Sequence, residues 1–204
     1  MRLYHSQTSP YVRKVMVVAR EAGIHDRIEL IAASASPVGE TATVASDNPL
    51  GKLPCLLLDD GGVLYDSQVI CEYLDSLHDG HKLFPAPGPA RWQALRRQSL
   101  GDGICDAALL RRYETFQRPP ERRWDEWMLG QKGKVGRALD ALEAEIASFP
   151  AAPNIGSIAV AVALAYLDLR FAEEPWRDGR PRLAEWHAGF ATRPSMRETA
   201  PPPQ

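Results

Sequence analysis

At 204 residues the chain can bury a sizeable core and hold one or two domains. Its 45% apolar and 25% charged residues are ordinary for a globular protein, and a net charge of −2 gives no pull toward nucleic acid or an anionic membrane. Three cysteines, Cys55, Cys71 and Cys105, are too few and too scattered for a disulfide framework or a zinc site, so no metal is expected.

Met1-Arg2-Leu3 runs directly into a strand pattern at Arg2–His5, which leaves no room for a signal peptide; a reducing cytoplasm is the expected setting. After a short polar loop, Ser9 is placed to cap a helix and Pro10 stands at its first position. Val12, Val15, Met16, Ala19 and Ala22 recur at helical spacing until Gly23 stops the run. Ile28–Ile31 reads as a second strand, followed by a variable stretch from Ala33 to Ser46. Leu53-Pro54 leads into a buried strand at Cys55–Leu58, Asp59–Gly62 marks a hairpin turn, and Val63–Tyr65 returns as the partner strand. Asp66 and Ser67 stand where strand becomes helix, with Ile70, Tyr73, Leu74 and Leu77 on that helix's apolar face. The βαβ order with a following ββα implies a mixed sheet whose first two strands are parallel.

His78–Pro89 reads as a solvated linker, rich in Pro and Gly, in which His78 and His81 lack a third partner for a metal. Beyond it every pattern is helical. Trp92, Leu95, Ser99, Gly103 and Ala107 mark one face of a long helix running to about Tyr113. A second carries Trp124, Trp127, Met128, Val135, Leu139, Leu142 and Ile146, with its aromatic residues expected in the core. The stretch Asn154–Leu167 is apolar on all sides, too short to span a bilayer, and therefore belongs at the centre of a bundle. A last amphipathic helix covers about Pro181–Ala191, and the tail Pro201–Gln204 is expected to be poorly ordered.

Two features of the Asn48–Leu77 stretch suit a small peptide-like ligand. A cis bond at Leu53-Pro54 would present the Leu53 main chain to an extended ligand as a further strand would. Ser67 at a helix start can meet a carboxylate, and Asp66 an ammonium group. The plainer alternative is a hairpin in which Ser67 serves only as a helix cap.

Together the βαβ-ββα order, the Ser9-Pro10 helix start, NPLGKLP before a strand and Asp-Ser opening the next helix resemble the glutathione transferase family. SQTSPYVRKV is similar to the first-helix start of bacterial and omega-like members, where Cys-Pro-Phe commonly replaces Ser9-Pro10-Tyr11. The resemblance implies an α/β plus all-α fold: a thioredoxin-like domain over residues 1–80 and a helical domain over 89–204. It further implies glutathione as co-substrate, a small hydrophobic electrophile as its partner in reaction, and a homodimer in which Asp102 or Asp106 reaches the neighbour's glutathione amine. In the family the central helix opens with Ser/Thr-x-x-Asp; here Asn154 can cap it, but Ser157 replaces Asp, which is expected to weaken the cap.

On that resemblance Asp66 and Ser67 receive the γ-glutamyl head, Leu53 before Pro54 pairs with the cysteinyl backbone, and Lys52 approaches the glycine carboxylate. Tyr11, Ile104, Ala108 and Tyr113 are candidates for lining the electrophile pocket. Ser9 is the candidate catalytic residue, donating to the glutathione sulfur, with Ser6, Thr8 and, less well placed, Tyr4 as rivals. Without a cysteine at position 9, conjugation is favoured over a mixed-disulfide route. Glutathione-dependent disulfide reduction or peroxidase activity, and a non-catalytic interaction module on the same fold, remain the competing functions.

Overall fold

In a computed structural model, which describes residues 1–39 and 42–202, four short strands pair in the order β2-β1-β3-β4. They are β1 (Arg2–His5), β2 (Glu29–Ala32), β3 (Cys55–Leu57) and β4 (Val63–Leu64). β1 pairs with β2 in parallel and with β3 antiparallel, and β3 pairs with β4 antiparallel, giving the expected mixed sheet. Glu40 and Thr41 of the variable stretch, and Pro203 and Gln204 of the tail expected to be poorly ordered, lie outside the described residues.

The chain divides into two compact units: Met1–Arg91 together with Pro194–Pro202, and Trp92–Arg193. In the first, helices α1 (Pro10–Glu21) and α3 (Ser67–Ser76) pack against one another. Val12, Val15, Val18 and Ala19 of α1 and Ile70, Cys71 and Leu74 of α3 are buried. A short helix, α2 (Ala42–Ala45), lies within the variable stretch.

Two features of this unit differ from the sequence reading. The linker, though exposed at Asp79–Lys82 as expected, is anchored further on: the buried Asp75 carboxylate accepts the N–H groups of Leu83 at 2.7 Å and Phe84 at 3.1 Å, and lies 3.1 Å from the His78 ring. The C-terminal segment, expected in the helical domain, returns to α1 through α8 (Pro194–Arg197). There Arg13 donates to the Met196 carbonyl at 3.0 Å, Ser195 donates to Glu21, and Arg20 pairs with Glu198. Burial lowers the Arg13 guanidinium to about 10, still far above neutral pH.

The second unit comprises α4 (Pro89–Phe116) from Trp92 onward, α5 (Asp125–Glu145), α6 (Ile155–Arg170) and α7 (Pro181–Ala191). As its all-apolar pattern requires, α6 is buried from Ile155 to Leu164 without a break. Its expected weak cap is corrected by the structure. Ser157 N–H donates to the Asn154 side chain at 3.0 Å, and Asn154 N–H donates to the Ser157 hydroxyl at 2.9 Å. A serine hydroxyl thus closes the reciprocal box as a carboxylate would.

The α4 face also differs from the expected one. Ala94, Arg97, Gln98, Gly101, Ile104, Cys105, Ala107 and Ala108 form the buried stripe, Ala107 as expected, whereas Trp92 is 68% exposed and Ser99 and Gly103 face solvent. The cause is steric: α4 and α6 approach so closely that glycine marks the contact. A Cβ at Gly101 would lie 2.7 Å from the Ala159 carbonyl carbon, and one at Gly156 would lie 2.6 Å from the Ala94 carbonyl oxygen. Arg97 is tolerated inside because its guanidinium donates to the Ser148 hydroxyl at 2.5 Å, lies 3.5 Å from Glu145 and stacks 4.1 Å over Phe149. Trp124 and Trp127, read as core, instead stack on each other at the exposed start of α5, ring centroids 6.2 Å apart.

Because backbone rather than a yielding side chain meets the added methyl, Gly156→Ala should destabilise the protein by about 1–3 kcal/mol. Gly103→Ala, with nothing within 4 Å of its Cβ, should stabilise it by roughly 0.4–1 kcal/mol. Urea midpoints of both variants against the parent check the pair; equal midpoints would contradict the close α4–α6 contact.

Candidate functional site

Sheet topology brings the candidate residues to one edge. Tyr4 near the end of β1 pairs with Cys55 at the start of β3, so the loop leaving β1 toward Ser9 lies beside Leu53-Pro54. β4 runs antiparallel to β3, so its far end, leading into Asp66 and Ser67, reaches the same edge. Helices α1 and α3 both begin there, with their N-termini toward it.

Ser9 is the N-cap of α1. Its hydroxyl oxygen accepts the Val12 N–H at 3.3 Å, and its own N–H donates to the Ser6 carbonyl at 3.2 Å. Accepting a hydrogen bond leaves the Ser9 hydroxyl proton available to donate. No acidic residue occupies the first turn of α1, so no side chain there offsets the positive end of the helix dipole.

Asp66, not Ser67, caps α3, its carboxylate accepting the Gln68 N–H at 2.9 Å. Ser67 is thereby relieved of the capping role. It is the first residue of the helix, only 3% exposed, and its hydroxyl makes no hydrogen bond among the described residues. Asp66 is exposed and keeps a second carboxylate oxygen in reserve.

The Leu53-Pro54 peptide bond is cis. Among the described residues, neither the N–H nor the carbonyl of Leu53 has a backbone partner. The approach to Leu53 is held by Asn48, a residue the sequence reading did not single out. Asn48 is 1% exposed; its amide donates to the Lys52 carbonyl at 2.8 Å and its side-chain oxygen accepts the Leu50 N–H at 3.0 Å. Gly51, with φ of 60°, donates to the Asn48 carbonyl at 2.8 Å and closes the turn. The Asn-Pro-x-Gly sequence was the available signal, since asparagine side chains bond their own backbone two residues on. Lys52 is exposed just before this strand.

Of the rival donors, Tyr4 is already engaged: its hydroxyl donates to Asp47 at 2.6 Å. That hydrogen bond, with burial, raises its pKa above the ordinary phenol value. Ser6 and Thr8 remain half-exposed in the loop before α1. Burial, reinforced by Asp47, pushes the Cys55 thiol up to about 11, and Cys71 and Cys105 are buried as well. Cys55 is therefore not a poised thiolate.

The four pocket candidates fall in both units. Tyr11 is half-buried on α1 of the first. In the second, Ile104 and Ala108 are buried on α4, and Tyr113 is half-buried with its hydroxyl pushed up by burial.

A thioredoxin-like sheet unit followed by an all-helical unit defines a two-domain transferase fold, and sequence comparison agrees. The glutathione S-transferase N-terminal domain matches residues 8–77 and the C-terminal domain residues 108–189. An uncharacterised GST-like protein of Escherichia coli K12, YibF, is 32% identical over 99% of both chains. A crystal structure of a glutathione transferase family member from Pseudomonas fluorescens Pf-5 with bound glutathione is 50% identical, with a TM-score of 0.96 over 98% of each chain. A second, with bound S-(propanoic acid)-glutathione, is 48% identical, with a TM-score of 0.92 over 99% of this chain and 100% of that one. The chain belongs to the glutathione S-transferase family. Among its described residues no helix is long and apolar enough to cross a membrane.

Tyr4→Phe separates a structural hydroxyl from a catalytic one. Losing a hydrogen bond to a carboxylate should lower stability by about 1.5–3 kcal/mol at pH 7. Because the Tyr4 pKa is raised in the fold, this contribution is complete below the unfolded value of about 10 and fades as pH climbs through the folded value. Urea unfolding of both proteins from pH 7 to 11 should therefore show a constant gap that narrows only at the alkaline end.

Proposed function

We propose that the protein binds glutathione at the sheet edge formed by Ser9, Leu53-Pro54 and Asp66-Ser67, and conjugates its thiolate to small hydrophobic electrophiles. The observation that carries this reading is the convergence there of unspent polar groups: the Ser9 proton, the Leu53 main chain and the Ser67 hydroxyl. Glutathione held in a 50% identical relative supports it.

In this reading Asp66 and the first turn of α3 with Ser67 hold the γ-glutamyl ammonium and carboxylate. The Leu53 N–H and carbonyl pair with the cysteinyl peptide as a strand edge does. Lys52 lies toward the glycine carboxylate. Ser9 donates its hydroxyl proton to the sulfur, with Ser6 and Thr8 as alternative donors. A thiol is mostly protonated at neutral pH. A hydrogen bond to the charged form stabilises it by roughly 1.5–3 kcal/mol, or about one to two pKa units at 1.36 kcal/mol each. The thiol proton leaves to solvent, and the sulfur lone pair forms the new C–S bond. With a Michael acceptor, the π pair moves to the α-carbon and takes a proton from water; with an aryl halide, halide departs. The second Pseudomonas structure holds S-(propanoic acid)-glutathione, a thioether of glutathione.

The pocket for the electrophile is assigned to Tyr11, Ile104, Ala108 and Tyr113, and the working form to a cytoplasmic homodimer. A protein-thiol route to disulfide reduction is disfavoured by Ser9 and by the burial of Cys55.

Ser9→Ala should raise the pKa of bound glutathione by about one to two units and lower conjugation at pH 7 by roughly ten- to hundredfold, with affinity little changed. Thiolate absorbance of the complex across pH reads this directly; superimposed curves would transfer the role to Thr8, Ser6 or the α1 amides. Ser67→Ala should do the reverse, weakening glutathione binding by about 1–3 kcal/mol while saturated turnover changes little. Titration calorimetry against glutathione decides it, and a protein that never binds the tripeptide would end the whole reading.

A further inference from the structure

The peptide unit that carries the Leu53 N–H also carries the Lys52 carbonyl, so whatever holds one aims the other. The Lys52–Leu53 bond is trans, and in a planar trans peptide the C=O and N–H point in opposite directions. The Asn48 side-chain amide donates to that carbonyl at 2.8 Å. Asn48 is buried, so the carbonyl is drawn inward. The Leu53 N–H is thereby turned away from the buried side and has no partner among the described residues.

Asn48 is itself fixed by its neighbours. Its N–H donates to the Val44 carbonyl at 2.8 Å, its side-chain oxygen accepts the Leu50 N–H at 3.0 Å, and its carbonyl accepts the Gly51 N–H at 2.8 Å. Asp47, the residue before it, accepts the Tyr4 hydroxyl at 2.6 Å, and Tyr4 pairs across the sheet with Cys55, two residues beyond Leu53. The loop from Asp47 to Leu53 is thus referenced to one strand pair at both ends. The bond to Leu50 is an ordinary Asx turn. The bond to Lys52 is no part of such a turn, and it requires a donor that an ionised carboxylate of the same shape lacks.

We propose that Asn48 is a positioning residue that fixes the direction of the Leu53 N–H, and that this direction sets the affinity of the edge for the cysteinyl peptide of glutathione. The direction of the N–H stands on the sheet unit alone; the affinity rests on the glutathione reading given above. An asparagine that only closes its turn is the plainer alternative. Its loss would lower stability and leave the Leu53 N–H where it is.

Two measurements on the full chain separate these, each made on the parent, Asn48→Asp and Asn48→Ser. Asn48→Asp keeps the shape and the acceptor for Leu50 but sets a carboxylate against the Lys52 carbonyl. Asn48→Ser adds no charge; its hydroxyl can accept from Leu50 in the weaker serine turn but is too short to reach Lys52. The first measurement is the residual dipolar coupling of the Leu53 N–H without glutathione, against an alignment fitted to the strands, α1 and α3 of the same unit. In both variants the Leu53 coupling should leave its parent value while the strand couplings stay; an unchanged Leu53 coupling overturns the positioning role whether or not glutathione binds. The second is calorimetry with S-methylglutathione, whose affinity should fall by about tenfold in both variants. A displaced coupling with unchanged affinity, or a loss confined to the charged Asn48→Asp, overturns the link to affinity. Failure of the parent itself to bind S-methylglutathione rejects the glutathione reading and that link with it, while the coupling still judges the positioning role. If Asn48→Asp does not fold, Asn48→Ser carries both measurements.

Discussion

The first turn of an α-helix leaves N–H groups that no carbonyl within the helix can reach. The chain meets that constraint at α1, α3 and α6 with a side chain at the cap, Ser9, Asp66 and Asn154. At α6 the answer is complete: Asn154 and Ser157 exchange bonds in both directions, and a helix so closed can be buried on every side. At α1 and α3 it is one-sided. Ser9 and Asp66 each accept one N–H and keep an atom unspent, beside a Ser67 hydroxyl with no partner among the described residues. One requirement of helix geometry thus yields a sealed core element in one unit and a receptive sheet edge in the other.

That edge was legible in the sequence because its signals are local. Ser9-Pro10, the Asp59–Gly62 turn and Asp66-Ser67 act through their own backbone within a few residues, and alternation and helical spacing supply the elements between them. What escaped reading depends on distant partners. Asn48 and Asp75 look like ordinary loop and surface polar residues until folding buries them among N–H groups. The α4 stripe was misassigned because hydrophobicity favours Trp92 and Leu95, while the real constraint is space: glycine and alanine face α6, and Arg97 is admitted only because Ser148, Glu145 and Phe149 receive it. Trp124 and Trp127 fail for the converse reason. Their stacking satisfies much of each ring without burial, and a sequence pattern does not distinguish a mutual stack from a core position.

The cysteines and arginines are sorted by the same principle of placement over type. Cys55 directly follows the proline at the candidate edge, yet burial and a nearby carboxylate keep it a thiol. Arg97, Arg111 and Arg112 lie on one helix, and one is locked inside, one is paired at its rim and one is stacked on an exposed ring. Chemistry in this fold is set by which neighbours a side chain finds.

The return of residues 194–202 to α1 has a consequence for the order in which the protein can mature. During synthesis at about 5–20 residues per second, the first ninety residues emerge roughly 5–20 seconds before α8 exists. Until then Arg13, Arg20 and Glu21 lack the Met196 carbonyl, Glu198 and Ser195 that finally engage them. The helix bearing Ser9 is therefore fully clad only after Ser195, Met196 and Glu198 have been made, long after its own residues have emerged.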